Sequence, residues 1–139
     1  MRAVFDTNVI ISGLLWNGAV ATLLEYVESK KVTLCLTPCI LNEIERVLNY
    51  PKFSKQLFIV GFSTGEILSF LSKQSLLFED IDLVAPITED ESDNMFINCA
   101  LASRSKWIVS GDKHLLRLKQ FEGIQIVKPN VFLKNVFKK

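Results

Sequence analysis

Histidine and cysteine are scarce in this chain. His114 is the only histidine, and the cysteines are Cys35, Cys39 and Cys99. An odd count in a chain of ordinary size does not read as a disulfide-stapled secreted framework. Cys35 and Cys39 are spaced like a metal pair, but no second Cys/His pair completes four ligands. A zinc site is therefore not expected, and the thiols are read as buried and inert. An excess of one charge is also missing. Lys and Arg total 16 against 15 Asp and Glu, for a net charge of +1. Net charge thus announces no nucleic-acid partner, although segregated surface charge would still serve one.

Long apolar runs are absent as well. Only Ala3-Val4-Phe5 separate the first charge, Arg2, from the second, Asp6. That is too short for the core of a signal peptide. No stretch approaches the ~18 apolar residues of a membrane span. A cytoplasmic protein with no membrane contact is expected. The sequence shows no internal repeat, linker or low-complexity segment.

What is present fits one domain spanning residues 1–139. Hydrophobic residues make up 49% of the chain, enough apolar surface to collapse, which excludes global disorder. Ala3-Val4-Phe5, Val32 to Leu36, Trp107 to Ser110 and Ile124 to Val127 are short apolar runs and read as strands. Leu76-Leu77-Phe78 is a further candidate. Helices are expected over Ala19–Ser29 and from Thr37-Pro38 to about Asn49, where Pro51 is read as the stop. Others are expected from Ser63 or Thr64 through Leu71, over Asn94–Ser103, at Leu115-Leu116, and from Pro129 through Val136. Val9–Leu15 is apolar without a clear period, and Lys52 onward is ambiguous. Strands and helices alternate, and the strands are unbroken apolar runs. This predicts an α/β fold, a three-layer α/β/α sandwich with a central parallel sheet. Such sheets bind ligands outside the carboxyl ends of their strands.

Two aspartates stand at such ends. Asp6 closes the first strand, and Asp112 follows Trp107–Gly111. Glu43 and Glu45 lie on the 38–49 helix, on opposite borders of a stripe formed by Ile40, Leu41, Ile44, Val47 and Leu48. Helical geometry alone does not choose between them. Asp93 precedes Ile97 by four residues and Ala100 by seven, so it shares their inward face. Asp90 and Glu91 compete with it as first-turn acids. Carboxylates meeting at one strand edge repel each other, and a hard divalent cation would relieve that. Oxygen ligands select Mg²⁺ or Mn²⁺. A cation so held suits phosphodiester hydrolysis.

Four segments carry a resemblance. They are Val4–Gly13 with Asp6, Leu41–Leu48 with Glu43, Asp93–Ala100 with Asp93, and Ile108–Leu116 with Asp112. In this order and spacing, over nearly the whole chain, they resemble the PIN domain, in particular its bacterial and archaeal toxin–antitoxin group. The resemblance places Glu43, rather than Glu45, at the second acid position. It implies a metal-dependent ribonuclease in which Asp6, Glu43, Asp93 and Asp112 bind Mg²⁺ or Mn²⁺ and act in catalysis. Asn8 and Ser110 match polar positions supporting the acids. His114 stands where many relatives carry another aspartate, which bears on a second metal. Asp90, Glu91 and His114 are auxiliary candidates. RNA would be the substrate, with Lys113, Arg117 and Lys119 near the Asp112 loop as phosphate contacts. Trp16 is read as a packing residue or a base-stacking one. The resemblance further implies a cognate antitoxin and a homodimer. Ten Phe and two Trp in so small a chain agree with the latter.

Two other readings compete. A phosphatase of the haloacid-dehalogenase type also uses a strand-end aspartate, but wants a second Asp two residues on. Asp6-Thr7-Asn8 supplies asparagine there. A non-catalytic module of the same fold would bind RNA or protein without cleavage.

Overall fold

The computed structural model describes residues 1–16, 18–81 and 93–137. Their order is β1 (Arg2–Phe5), α1 (Thr7–Leu15), α2 (Ala19–Glu28), β2 (Thr33–Leu36), α3 (Pro38–Leu48), α4 (Pro51–Val60), α5 (Thr64–Gln74) and β3 (Ser75–Leu77). Then follow α6 (Asn94–Ser103), β4 (Trp107–Val109), α7 (Lys113–Leu116), β5 (Gln120–Phe121), β6 (Ile124–Val127) and α8 (Pro129–Phe137). The strands form one sheet in the order β3-β2-β1-β4-β6-β5. Ala3 is in register with Leu34 on one side and Trp107 on the other, and Ile108 with Ile126. The fold is the expected α/β sandwich. Its sheet is parallel except at one edge, where β5 runs antiparallel to β6. Glu122 and Gly123 join these two strands at φ 46° and 84°, the doubly left-handed turn that a two-residue hairpin favours.

Local signals explain most helix starts. Thr37 caps α3 through the Ile40 N–H, and Pro38 occupies the first turn, where its missing N–H costs nothing. Ser63 caps α5 and exchanges hydrogen bonds with Glu66 in a capping box. Pro51 does not merely stop α3; it opens α4. Two helices lack a readable period. In α1, Val9, Ile10, Ile11 and Leu15 are all buried, so the helix is apolar on most sides. In α4 only Leu57 is buried, while Phe58 and Ile59 face solvent.

From β1 the chain steps to β2 and β3 on one side of the sheet. It then jumps back across to β4, on the other side of β1. With right-handed crossovers, α1–α5 cover one face and α6 the other. The core is contiguous across both faces, from Val4, Ile10 and Leu34 to Ile97 and Ile108. Near the C-terminus, Phe132 of α8 meets Phe5 and Trp107 edge-to-face at 6.1 and 5.5 Å between ring centres. Trp16 packs edge-to-face on Phe53 of α4 at 5.8 Å and remains exposed.

Gly13 of α1 lies close against α2. A Cβ there would lie 2.7 Å from the Val20 carbonyl oxygen and 2.9 Å from Leu24 Cγ. The backbone oxygen cannot swing aside, so Gly13→Ala must part the helices. Overpacking of this kind costs about 1–3 kcal/mol. Urea unfolding is expected to show that loss, with an unchanged slope.

Candidate active site

The strand order reverses at β1. The crevice between β1 and β4 at their carboxyl ends is the topological switch point, where open α/β sheets bind ligands. Asp6 and Asp112 follow these two strands. The Asp6 N–H extends the β1–β4 ladder to the Val109 carbonyl at 3.0 Å. Its carboxylate caps α1, accepting from the Val9 N–H at 2.8 Å. The same carboxylate accepts a short hydrogen bond from the Ser110 hydroxyl. That hydroxyl in turn accepts the Asp112 N–H at 2.9 Å. Ser110 is wholly buried and thus ties the two acids together.

Asp6 is only 6% exposed. Burial is the main influence on its carboxyl and pushes the pKa above the ordinary 3.8. Hydrogen bonds from Ser110 and the Val9 and Gly111 backbone pull the other way, while the charge of Asp112 adds to the rise. Asp112 is half-buried and caps the short α7 through the His114 and Leu115 N–H groups.

The other two candidate acids stand on α3 and at the start of α6. Right-handed crossovers run antiparallel to the strands, so α3 and α6 both begin at the carboxyl edge. Asp93 immediately precedes α6 and is buried, but its side chain makes no capping bond to the helix. On α3, Glu43 is half-buried and Glu45 is exposed. Glu43 engages Arg46, one turn on, through bonds of 2.7 and 2.9 Å.

A convergence of three or four carboxylates is expected from the sequence. Among the described residues, no three Asp, Glu, His or Cys side chains stand close enough to share an ion. The Glu43 carboxylate pairs with Arg46. Asp90 and Glu91 lie outside the described residues. Asn8 is exposed on the first turn of α1, so Ser110 is the residue whose support of Asp6 has a visible geometry. His114 is half-buried, and Lys113, Arg117 and Lys119 are exposed.

The thiols divide differently from expectation. Cys35 and Cys99 are buried, and burial pushes the Cys99 thiol up to about 12. Cys39, expected to be buried, is exposed at the start of α3, because an apolar-looking position in a first turn need not face the sheet. Beside it stands Asp80, which the sequence reading passed over. Its carboxylate accepts the Cys39 N–H at 3.0 and 3.3 Å. An acid two residues beyond the candidate strand Leu76-Leu77-Phe78 was the available signal.

Ser110→Ala would remove the donor to Asp6 and orphan the Asp112 N–H. Leaving buried polar groups unpaired costs about 1–3 kcal/mol. Denaturant unfolding at neutral pH is expected to register that loss.

The sequence model of the PIN domain matches residues 2–114. An uncharacterized protein of Methanocaldococcus jannaschii is 31% identical over 135 residues, covering 96% of this chain and 84% of that protein. Among solved structures, VapBC2 from Rickettsia felis, bound to a DNA fragment from its promoter, superposes with a TM-score of 0.60 at 12% identity. FitAcB from Neisseria gonorrhoeae superposes with a TM-score of 0.57 at 16% identity. In both cases 91% of this chain and 97% of the other are covered, and at such identities the likeness is one of fold. With the family model spanning most of the chain, and acids standing at the β1–β4 switch point, the protein belongs to the PIN domain family.

Proposed function

We propose that this chain is a divalent-metal-dependent endoribonuclease, the toxin of a toxin–antitoxin pair. The observation carrying this is the buried Asp6 carboxylate, linked through Ser110 to Asp112 at the switch point of a PIN fold. Mg²⁺ typically takes one or two carboxylates and completes its shell with waters and phosphate oxygens. Asp6 and Asp112 fit that demand as a pair of neighbouring hard oxygen donors. Asp93 and Glu43 would complete the acidic rim, with Glu43 exchanging Arg46 for the ion. When bound, the cation lowers the pKa of a bound water and offsets charge at phosphorus.

The chain's own groups do the rest. Ser110 fixes one Asp6 oxygen, and the Val9 N–H fixes the other, so the carboxylate has little freedom to rotate. The His114 and Leu115 N–H groups both hold one oxygen of Asp112, Oδ1. Exposed Lys113, Arg117 and Lys119 would hold phosphates without reading sequence.

The partner reading rests on apolar surface. Phe58 is 87% exposed and Ile59 73%. Beside the exposed Phe62, a groove of about 770 Å³ is lined by Leu14, Ile67 and Phe70. Exposed apolar area of this kind marks a protein interface. We assign it to a second copy of the chain or to the antitoxin. Light scattering at micromolar concentration is expected to give twice the chain mass; a single chain mass counts against the homodimer.

The deciding experiment incubates wild type with a mixed RNA pool in Mn²⁺. Cleavage is expected, with its loss in EDTA and in Asp6→Asn. A non-catalytic RNA- or protein-binding module is the second reading. It is favoured by the lack, among the described residues, of three acids close enough to share an ion, and would bind RNA without cutting it.

A further inference from the structure

Exposed aromatic rings and cations meet at the first turn of α4. Tyr50 immediately precedes that helix and is 43% exposed. Trp16, which follows α1, packs on Phe53 of the same turn and is 39% exposed. The Lys52 ammonium stands 6.0 Å from the Trp16 ring centre and 5.4 Å from that of Phe53. Lys55 is exposed one turn further along the Lys52 face of α4. Each of the two exposed rings thus has a cation beside it, Lys52 at Trp16 and Arg46 at Tyr50.

This cluster is joined to the candidate active site. Arg46, near the end of α3, donates to both oxygens of Glu43 and also to the Tyr50 hydroxyl. Its guanidinium carbon lies 5.4 Å from the Tyr50 ring centre. Glu43, Arg46 and Tyr50 are three and four residues apart, so they follow one another along one side of α3 to the start of α4. The chemistry of the surface decides what it fits. Single-stranded nucleic acid offers phosphates for cations and unpaired bases for rings, and proteins hold it with a positive track set with aromatic side chains. A duplex keeps its ring faces inside its own stack. An acidic peptide brings charge without rings to cover Tyr50 and Trp16. Stacking serves every base, so this surface would hold RNA without selecting its sequence.

We propose that Tyr50, Lys52, Trp16 and Lys55 form a track for single-stranded RNA leading away from Glu43, with bases stacked on the two rings and phosphates held by the two lysines. The assignment rests on the ribonuclease reading for its substrate, and the test separates the two. The probe is an oligouridylate of about ten residues, within the lengths that single-strand sites cover. An abasic oligomer of equal length carries the same phosphates without bases. Binding is measured in EDTA by fluorescence anisotropy, and cleavage separately in Mn²⁺. Trp16→Ala and Tyr50→Ala are each expected to weaken oligouridylate binding about tenfold, the scale of one lost stacked base. Trp16→Phe should retain most of the affinity. Lys52→Gln and Lys55→Gln should each reduce the slope of log affinity against log salt by roughly 0.7. Trp107→Phe leaves Trp16 as the sole tryptophan, and its fluorescence should be quenched by oligouridylate and not by the abasic oligomer. Because Trp16 also packs on Phe53, circular dichroism checks the fold of Trp16→Ala; the quenching and Tyr50→Ala decide the matter if that variant unfolds. Unchanged affinity in Tyr50→Ala together with no quenching of Trp16 overturns the track, and continued cleavage then leaves the nuclease standing. Equal affinity for the abasic oligomer overturns it as well, by showing attraction to phosphate alone. Quenching and tenfold losses in a protein that cleaves RNA under no metal keep the track and retire the nuclease.

Discussion

Asp6→Asn is expected to abolish RNA cleavage and to raise the melting temperature of the metal-free protein. The two effects have one cause. The Asp6 carboxyl is buried, and burial together with the Asp112 charge lifts its folded-state pKa above 3.8. A group shifted upward favours folding fully below its unfolded pKa, and the benefit is lost as pH rises through the folded pKa. At neutral pH the ionised carboxylate is therefore a liability to the fold. Asparagine removes the charge yet keeps an oxygen for the Val9 N–H, so the α1 cap survives. Each kcal/mol of relief raises the melting temperature by roughly 3–5 °C in a domain of this size. A divalent cation is expected to reverse the comparison, by binding the folded wild type and stabilising it by mass action. Thermal unfolding of both proteins at about pH 7.5, in EDTA and in ~10 mM Mg²⁺, checks this with the ion in excess. A variant that melts lower in EDTA, beside a wild type indifferent to Mg²⁺, would sink the shared-ion site.

The legible parts of this molecule are those where a local signal and a global rule agree. Asp6 and Asp112 could be placed because a strand-end acid is visible in the residues and the sheet rule assigns it a location. Thr37-Pro38 announced α3 by the chemistry of the first turn alone. The illegible parts have physical reasons. Helix α1 is buried on most sides, so it lacks the polar face that makes a period visible. In α4 the exposed Phe58 and Ile59 break the stripe for the opposite reason. Strand β5 is two residues long and depends on positive φ at Glu122, a residue that seldom adopts it. The contact of Asp80 with the Cys39 N–H spans 41 positions and depends wholly on β3 pairing with β2. Helical geometry left Glu43 and Glu45 equivalent, and packing separates them by half-burying the first and exposing the second.

That separation leads to the second large effect. Glu43→Gln is expected to slow cleavage at least about tenfold, the scale on which groups around a bound ion act. Glu45→Gln, altering an exposed side chain, should stay within about twofold. In the structure Glu43 is paired with Arg46, whose guanidinium is held above its ordinary pKa chiefly by the Glu43 hydrogen bonds. This pairing does not argue against an ion at Glu43. Arg46 is largely exposed, and exposed ion pairs contribute little and are screened by salt. A divalent cation carrying twice the charge can therefore take the carboxylate from Arg46 at small cost. It follows that Arg46→Gln, which removes the competitor, should lower the Mn²⁺ concentration giving half-maximal cleavage. Titrating Mn²⁺ against cleavage rate for wild type, Glu43→Gln, Glu45→Gln and Arg46→Gln checks all three expectations together. A Glu43→Gln rate equal to wild type at saturating Mn²⁺, with Arg46→Gln unmoved, would make the Glu43–Arg46 pair a surface link of α3 and leave the ion to Asp6, Asp93 and Asp112.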